Sequence, residues 1–115
     1  MGEGFQQVVV FITVSSVAEA RRIAEALLKQ RKAACINIMP GVDSHYWWQG
    51  KLEAAEEVLL MVKTRASLVK ELVELVRGIH SYQVPEVIAL PIVGGNPDYL
   101  QWIDEEAGPS DGQSG

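Results

Sequence analysis

The longest β-rich stretch of the chain, residues 34–64, limits the folds that this sequence can adopt. Its first arm, 34–48, is rich in β-branched and aromatic residues, and Gln49-Gly50 then supplies the glycine that a short hairpin turn needs. Pro40-Gly41 interrupts this arm. Because proline cannot donate to a strand ladder and glycine permits a bulge, we predict one bent strand within a long hairpin.

The predicted hairpin is longer than the domain that must hold it. At about 3.4 Å per residue its first arm would run about 50 Å, whereas a compact domain of this size has a diameter of roughly 34 Å. We therefore predict that the hairpin tip projects beyond its own domain. A two-stranded ribbon alone is marginally stable in water and has open edges, so we expect it to pair with a neighbouring subunit.

Length and composition favour one folded domain over residues 1–107, followed by a flexible tail at 108–115. The net charge of −5 argues against nucleic acid or an anionic membrane as the main partner, since both attract clustered Lys and Arg. No apolar segment approaches the roughly 20 residues of a membrane span. The lone cysteine, Cys35, excludes an intrachain disulfide framework, and a reducing cytoplasm is the simplest compartment.

Apolar periodicity outside the hairpin predicts two further strands and three helices. The strands run from Val8 to Val14 and from Glu86 to Val93. The helices begin after a capping box at Ser16-Val17-Ala18-Glu19, at about Leu68 and at Pro97. This order is that of a ferredoxin-like βαββαβ sandwich, an α+β fold, with an extra C-terminal helix. A flavodoxin-like order would need helices on both sheet faces and would leave no place for the hairpin.

The first, third and fourth predicted strands are apolar on both of their faces. In a ferredoxin-like sandwich the two main helices cover only one face of the sheet, so the other face must meet protein. We expect this second face to pack against the sheets of neighbouring subunits.

Several short motifs follow one another along the chain: Ala34-Cys35-Ile36-Asn37, Tyr46 to Lys51, Val62-Lys63-Thr64, His80 to Glu86, and Tyr99 to Trp102. Together, over about Val8 to Glu105, they resemble the CutA divalent-cation tolerance proteins. The resemblance implies a ferredoxin-like subunit, a homotrimer similar to the nitrogen-regulatory PII proteins, and a link to the tolerance of copper and other divalent cations. It implies no catalytic reaction, so we expect no enzyme activity and no catalytic residues.

His80 is the first candidate metal ligand, because a neutral imidazole suits Cu(II) and a loop after a helix can present it to a cleft. In some bacterial relatives copper is attributed to a first-strand Cys and two adjacent His residues, and those positions hold Ile12, Ile79 and His80 here. His80 alone would need donors from elsewhere, and its alternative role is a bond to a loop carbonyl or a carboxylate. Ser81 replaces a proline that is frequent in the family, which predicts a looser loop, and Gln83 replaces a frequent Glu.

Cys35 and Glu86 are the other two candidate metal ligands. A deprotonated Cys35 thiol favours soft ions such as Cu(I) or Zn, but a lone Cys in an apolar strand is otherwise a small buried hydrophobe. A nucleophile and base pair of Cys35 with His80 would imitate a thiol hydrolase, yet the sequence offers no oxyanion hole or third group for it.

A cleft between subunits is the predicted ligand site. Glu57, Lys63 and Tyr82 are expected to line it and to bind a small ion or ligand there, or else to form an intersubunit ion-pair network. The aromatic residues of the hairpin tip, Tyr46, Trp47 and Trp48, are expected to form an oligomer contact.

The sequence therefore predicts a cytoplasmic, homotrimeric, non-catalytic protein of divalent-metal response that binds copper or another divalent cation weakly. Three alternatives stay open: a structural adaptor that binds an unidentified protein, a PII-like signalling protein whose metal binding is incidental, and a small-molecule enzyme that uses the cleft.

Overall fold

The computed structural model describes residues 6–109 and shows a mixed α+β fold with four strands and three main helices. The predicted α+β class is confirmed, and the elements follow one another in the predicted order. In chain order they are β1 (Gln7–Val14), α1 (Val17–Lys29), β2 (Cys35–Trp48), β3 (Lys51–Arg65), α2 (Val69–Ile79), β4 (Val87–Pro91) and α3 (Pro97–Glu106). One turn of 3-10 helix, Ala66–Leu68, leads into α2.

The four strands form one antiparallel sheet in the order β2-β3-β1-β4. On its first face, alternate residues of β1 lie opposite alternate residues of β3, from Val8 beside Thr64 to Val14 beside Val58, and all are buried. The two helices α1 and α2 bring further apolar side chains into this core, Ile23, Leu27, Leu72 and Val76 among them. The core of the protein therefore lies between one sheet face and these two helices.

The hairpin of β2 and β3 is continuous from the pair Cys35 and Lys63 to the pair Trp48 and Lys51. Gln49 and Gly50 have φ values of 51° and 81°, as a two-residue type I′ turn requires. The register shifts between Met39 and Val42, where Gly41 has a φ of 82°. The predicted single bent strand is thus confirmed.

The described part of the chain measures 49 × 26 × 22 Å and has a radius of gyration of 15.0 Å. A compact chain of about 100 residues has a radius of gyration of about 13 Å. The excess lies along one axis, as expected if the hairpin extends beyond the helices. The prediction that its tip projects from its own domain is therefore confirmed.

The second face of the sheet carries the remaining strand residues and is only partly covered. The Gln7 amide donates to the Asp104 carboxylate at 3.0 and 3.1 Å, which ties α3 to one end of this face. Farther along the face, Met39, Ile88 and Leu90 are between 43% and 51% exposed. The apolar character predicted for this face is confirmed, whereas its contact with another subunit stays a prediction.

Local differences from the sequence expectations have simple physical causes. Ser16 Oγ accepts the Glu19 N–H at 3.1 Å, as predicted for the capping box, but the Glu19 carboxylate turns to Ser15 instead of the Ser16 N–H. The last strand is shorter than predicted and ends at Pro91, which has no N–H for the ladder.

The predicted flexible tail at 108–115 begins inside the packed structure. Gly108 is buried and donates its N–H to the Arg31 carbonyl at 2.7 Å. Its positive φ of 98° and the closely packed Arg65 side chain leave no room for a Cβ atom. Residues 110–115 lie outside the described residues.

Replacement by alanine should have opposite effects on stability at two glycines that have open space around them. Gly50→Ala should lower the free energy of unfolding by about 1 kcal/mol, because the residue has a positive φ that an alanine adopts only with strain. Gly78→Ala, within α2, should raise it by about 0.5 to 1 kcal/mol through helix propensity. Urea unfolding measures both changes, and an equal sign for the two would contradict the turn geometry.

Candidate functional site

A cavity of about 280 Å³ lies where the end of β1 meets the hairpin and the loop between α2 and β4. The hairpin contributes Tyr46, Trp48 and Glu57, which share a sheet face because they alternate along strands paired in register. The other lining residues are Thr13 of β1 and Tyr82, Gln83, Val84 and Glu86 of the loop. We call this cavity the cleft.

A buried carboxylate and a phenol meet at the base of the cleft. Glu57 is 7% exposed, and its Oε2 accepts a hydrogen bond from the Tyr82 hydroxyl at 2.7 Å. Burial raises the pKa of Tyr82, and the hydrogen bond to Glu57 raises it further. Tyr82 is therefore a neutral donor at physiological pH. The structure brings these two predicted cleft residues together.

A second carboxylate, Glu86, lies at the edge of the same cleft. Its Oε1 accepts a hydrogen bond from Thr13 Oγ1 at 3.3 Å. The described residues that line the cleft include no Lys, Arg or His. The cleft of a single chain is therefore acidic, and aromatic rings form much of its wall.

His80 lies behind the cleft with its side chain fully buried. Its Nδ1 accepts the Tyr82 N–H at 3.0 Å, and its Nε2 is 2.8 Å from the Thr13 carbonyl oxygen. A ring that accepts at Nδ1 and faces a carbonyl at Nε2 is the neutral tautomer with its hydrogen on Nε2. Both ring nitrogens are thus occupied, so coordination of a metal would have to displace one of these bonds. The ligand role of His80 stays a prediction.

Glu19 holds this loop in place, a role that the sequence did not suggest. Its carboxylate accepts hydrogen bonds from the Ser81 N–H and hydroxyl at 2.8 and 2.9 Å and from the Ser15 hydroxyl at 3.0 Å. The expectation that Ser81 loosens the loop is wrong, because its N–H, which a proline lacks, anchors the loop to α1. The capping-box position of Glu19 was visible in the sequence, but its contact with Ser81 spans 62 residues.

Burial alone would raise the pKa of Glu19, but the hydrogen bonds from Ser81 and Ser15 outweigh it and hold that pKa below its usual value of 4.5. Glu19 is therefore ionised at neutral pH. Its Oε2 also lies 3.6 Å from His80 Nδ1. The carboxylate thus joins the start of α1, the end of β1 and the loop into one buried polar network.

The family profile described as CutA1 divalent ion tolerance protein matches residues 8–106. The chain belongs to the CutA1 family. It is 50% identical over 100 residues to the divalent-cation tolerance protein CutA of Thermus thermophilus, covering 87% of this chain and 97% of that protein. It is 49% identical over 96 residues to the chloroplastic protein CutA 1 of Oryza sativa subsp. japonica, covering 84% of this chain and 54% of that protein.

Solved structures of the CutA1 family have the same fold as this chain. The Thermus thermophilus protein has a TM-score of 0.87 at 49% identity and covers 89% of this chain and 99% of its own. CutA1 from Oryza sativa also has a TM-score of 0.87, at 45% identity, and covers 92% of this chain and 97% of its own. The chain spans about half the length of the full rice, mouse and Arabidopsis proteins that it matches.

The names of CutA1 relatives indicate more than one location. The rice protein is named chloroplastic, and a solved Archaeoglobus fulgidus protein, 44% identical with a TM-score of 0.84, is titled periplasmic. It covers 87% of this chain and 97% of its own. Within residues 6–109, no helix has the length and apolar character needed to cross a membrane. The cytoplasmic location stays a prediction.

Cys35, a predicted metal ligand, and Lys63, a predicted cleft residue, both lie away from the cleft. They pair with each other, and Lys63 also pairs with Val9, which is about 14 Å along β1 from Thr13. Lys63 Nζ donates to Asn37 Oδ1. The structure thus places Glu86 and His80 near Thr13 but leaves Cys35, the third predicted metal ligand, at the other end of the sheet.

The half-buried Cys35 thiol is next to Tyr99 of α3. Burial raises the pKa of Tyr99, and the neighbouring Cys35 sulfur raises it further. The distance along β1 also separates Cys35 from His80, so the two do not form a nucleophile and base pair. Over residues 6–109, no three His, Cys, Asp or Glu side chains are placed to hold one metal ion.

The predicted oligomerisation residues divide between the two faces of the hairpin. Tyr46 and Trp48 line the cleft, whereas Trp47 points to the opposite face beside Leu52. Trp47 and Leu52 are 73% and 68% exposed. Their role in oligomer contacts stays a prediction.

Glu19→Gln should destabilise the fold in a pH-dependent way. At pH 7 we expect a loss of about 1 to 3 kcal/mol, because an amide presents a donor to the two backbone N–H groups of Ser15 and Ser81. The folded-state pKa of Glu19 is lowered, so its stabilisation is present above pH 4.5 and is lost as the pH falls through that lowered pKa. Thermal unfolding from pH 7 to pH 3 should show the difference from wild type narrowing.

The control for this experiment is Glu25→Gln, which removes the same charge from an exposed position on α1. It should change stability by no more than a few tenths of a kcal/mol. A Glu19→Gln deficit that stays constant over this pH range would show that the carboxylate charge is not what anchors the loop.

Proposed function

We propose that this chain acts in divalent-cation tolerance as a non-catalytic homotrimer of ferredoxin-like subunits that binds copper or another divalent cation weakly. The observation that carries the tolerance role is membership of the CutA1 family over residues 8–106. The name of the Thermus thermophilus relative, a divalent-cation tolerance protein that this chain covers almost completely, supports the same role.

The ferredoxin-like part of the proposal is supported by topology. The elements run βαββαβ before α3. In the sheet order β2-β3-β1-β4, the first and last strands along the chain, β1 and β4, are neighbours. The helices α1 and α2 both contribute to the core on the first face. The second face is then the natural surface for assembly.

The trimer is supported by two apolar surfaces that the single chain leaves exposed. One is the second sheet face around Met39, Ile88 and Leu90, and the other is the hairpin tip around Trp47 and Leu52. Contiguous exposed apolar surface of this kind is typical of protein contacts. A closed ring of identical subunits would bury both surfaces in every copy, and the CutA resemblance implies three copies.

Weak cation binding is supported by the chemistry of the cleft. Glu57 and Glu86 supply carboxylate oxygens, which suit divalent cations, and the cleft has no basic lining residue within 6–109. Two carboxylates from one chain are too few for a tight site, because structural and catalytic metals usually have three or four protein ligands. Tighter binding would require donors from neighbouring subunits.

The non-catalytic part of the proposal rests on the separation of reactive groups. Cys35 lies at the far end of the sheet from His80, and His80 uses both ring nitrogens in bonds to the backbone. The second candidate, a structural adaptor, is favoured by the exposure of Trp47 and Leu52 at the hairpin tip. In that case the tip would bind an unidentified protein, and the metal affinity would be incidental.

Calorimetric titration of Zn(II) and Cu(II) into the full chain tests the metal role. Glu86→Gln should weaken Zn(II) binding about five- to tenfold, because it removes one of two cleft carboxylates. Glu74→Gln, an exposed carboxylate on α2, is the matched control and should leave the affinity within about twofold. His80→Ala and Cys35→Ser test the two other predicted ligands by the same titrations. Equal Zn(II) affinity of wild type and Glu86→Gln would show that the cleft does not bind the metal.

A further inference from the structure

A second cavity, of about 380 Å³, lies at the end of the sheet away from the cleft. Its wall comes from the end of α1 and the loop after it, from the start of α2 and from the chain after α3, and includes Lys29, Arg31, Lys32, Leu68, Glu71 and Gly108. We call it the basic cavity. Its lining residues belong neither to the hairpin strands nor to the second sheet face, so the surfaces proposed for assembly do not line it.

The loop after α1 holds its basic residues in fixed positions. The N–H groups of Arg31 and Lys32 donate to carbonyls of the last turn of α1 at 3.1 and 2.9 Å. The Arg31 carbonyl accepts the Gly108 N–H at 2.7 Å, and the Lys32 carbonyl accepts the Thr64 hydroxyl at 2.7 Å. These four bonds fix the backbone of the loop, and a preorganised site loses less conformational entropy when a ligand binds.

Arg31 occupies a position where glycine is the usual residue. Its φ is 58°, the left-handed conformation that commonly follows a helix, and a side chain is strained there. Its Nη1 donates to the Glu106 carboxylate and carbonyl at 2.9 and 3.0 Å, whereas its other guanidinium nitrogens bond to no group within residues 6–109. A strained arginine with part of its donor fork unused indicates a further acceptor for the guanidinium.

The basic cavity has more positive than negative groups in its wall. Lys29, Arg31 and Lys32 line it together with one carboxylate, that of Glu71, although the whole chain has a net charge of −5. The ion pairs of Lys29 and Arg31 are exposed, and exposed pairs are weak, so an anion can share these cations. The Lys32 ammonium is only 23% exposed and lies 2.7 Å from the Glu71 carboxylate.

We propose that the basic cavity binds the phosphate group of a small anionic ligand, with Arg31 and Lys32 as its main contacts and Lys29 at the edge. A phosphate group carries a charge of about −1.5 to −2 at pH 7 and three acceptor oxygens, which suit a guanidinium fork and two ammonium groups. A carboxylate offers one charge and two oxygens. The site goes beyond the proposed function, because it involves no metal and no cleft residue.

Backbone amide NMR of the full chain in its native assembly, at pH 7.5 and constant low ionic strength, tests the site directly. Inorganic phosphate and glycerol 3-phosphate should each give saturable shifts at Arg31, Lys32 and Gly108. Acetate should bind at least fivefold more weakly, and glycerol should not bind. Tighter binding of glycerol 3-phosphate than of phosphate would assign the site to a phosphate monoester, and equal affinity would assign it to the phosphate group alone.

Two results of this titration would overturn the proposal. One is the absence of a saturable shift with either phosphate compound up to about 50 mM, a very weak limit. The other is equal affinity for phosphate and acetate, because the doubly charged group should bind more tightly to a cluster of cations.

Substitutions at one ion pair should change the affinity in opposite directions. Lys32→Gln removes a cation and should weaken phosphate binding about three- to tenfold, whereas Glu71→Gln removes the lining carboxylate and should strengthen it about two- to fivefold. Lys70→Gln, at an exposed position beside Glu71 that does not line the cavity, is the control and should stay within about twofold. A loss of affinity in both variants of the pair would contradict the site.

Arg31→Gly separates binding from folding. Glycine favours a positive φ, so this variant should keep the fold and the thermal midpoint, whereas its phosphate affinity should fall about three- to tenfold. Arg21→Gln, at an exposed position on α1, should keep the wild-type affinity. Unchanged affinity in folded Arg31→Gly and Lys32→Gln variants would show that these charges only balance the negative end of α1. Zn(II) titration of the same variants should match wild type, so each proposal can fail alone.

Discussion

The antiparallel pairing of β2 with β3 is the interaction on which the rest of the structure depends. One half of this ladder lies in the sheet, where Ile36 and Ile38 pack against the core and Leu60 and Val62 are fully buried. The other half continues past the bulge at Gly41 and extends beyond the helices. Strand β3 thus contributes to the core, and β2 and β3 together form one wall of the cleft and the projecting tip.

On the side of the cleft opposite the hairpin, a buried hydrogen-bond network fixes the position of the loop between α2 and β4. The Glu19 carboxylate fixes Ser81, and His80 joins the Thr13 carbonyl to the Tyr82 N–H. The Tyr82 hydroxyl then reaches across to Glu57 on the hairpin. The loop is therefore hydrogen-bonded to α1, β1 and β3. In this arrangement His80 helps to hold the loop beside the cleft.

Sequence reasoning predicted the parts of the fold that depend on local patterns. The turn at Gln49-Gly50, the bend at Gly41 and the start of α1 follow from turn, bulge and capping signals within a few residues. The site depends instead on distant contacts. The buried His80 ring contacts the carbonyl of Thr13, 67 residues away, and no local pattern encodes that contact.

We propose that the hairpin and the second sheet face are assembly surfaces. The most direct test is the mass of the full chain by multi-angle light scattering and sedimentation over a wide range of protein concentration. A trimer held together by these surfaces should give a species of three times the 12.6 kDa chain mass at every concentration where the protein is folded. A folded, compact species of 12.6 kDa throughout that range would contradict it.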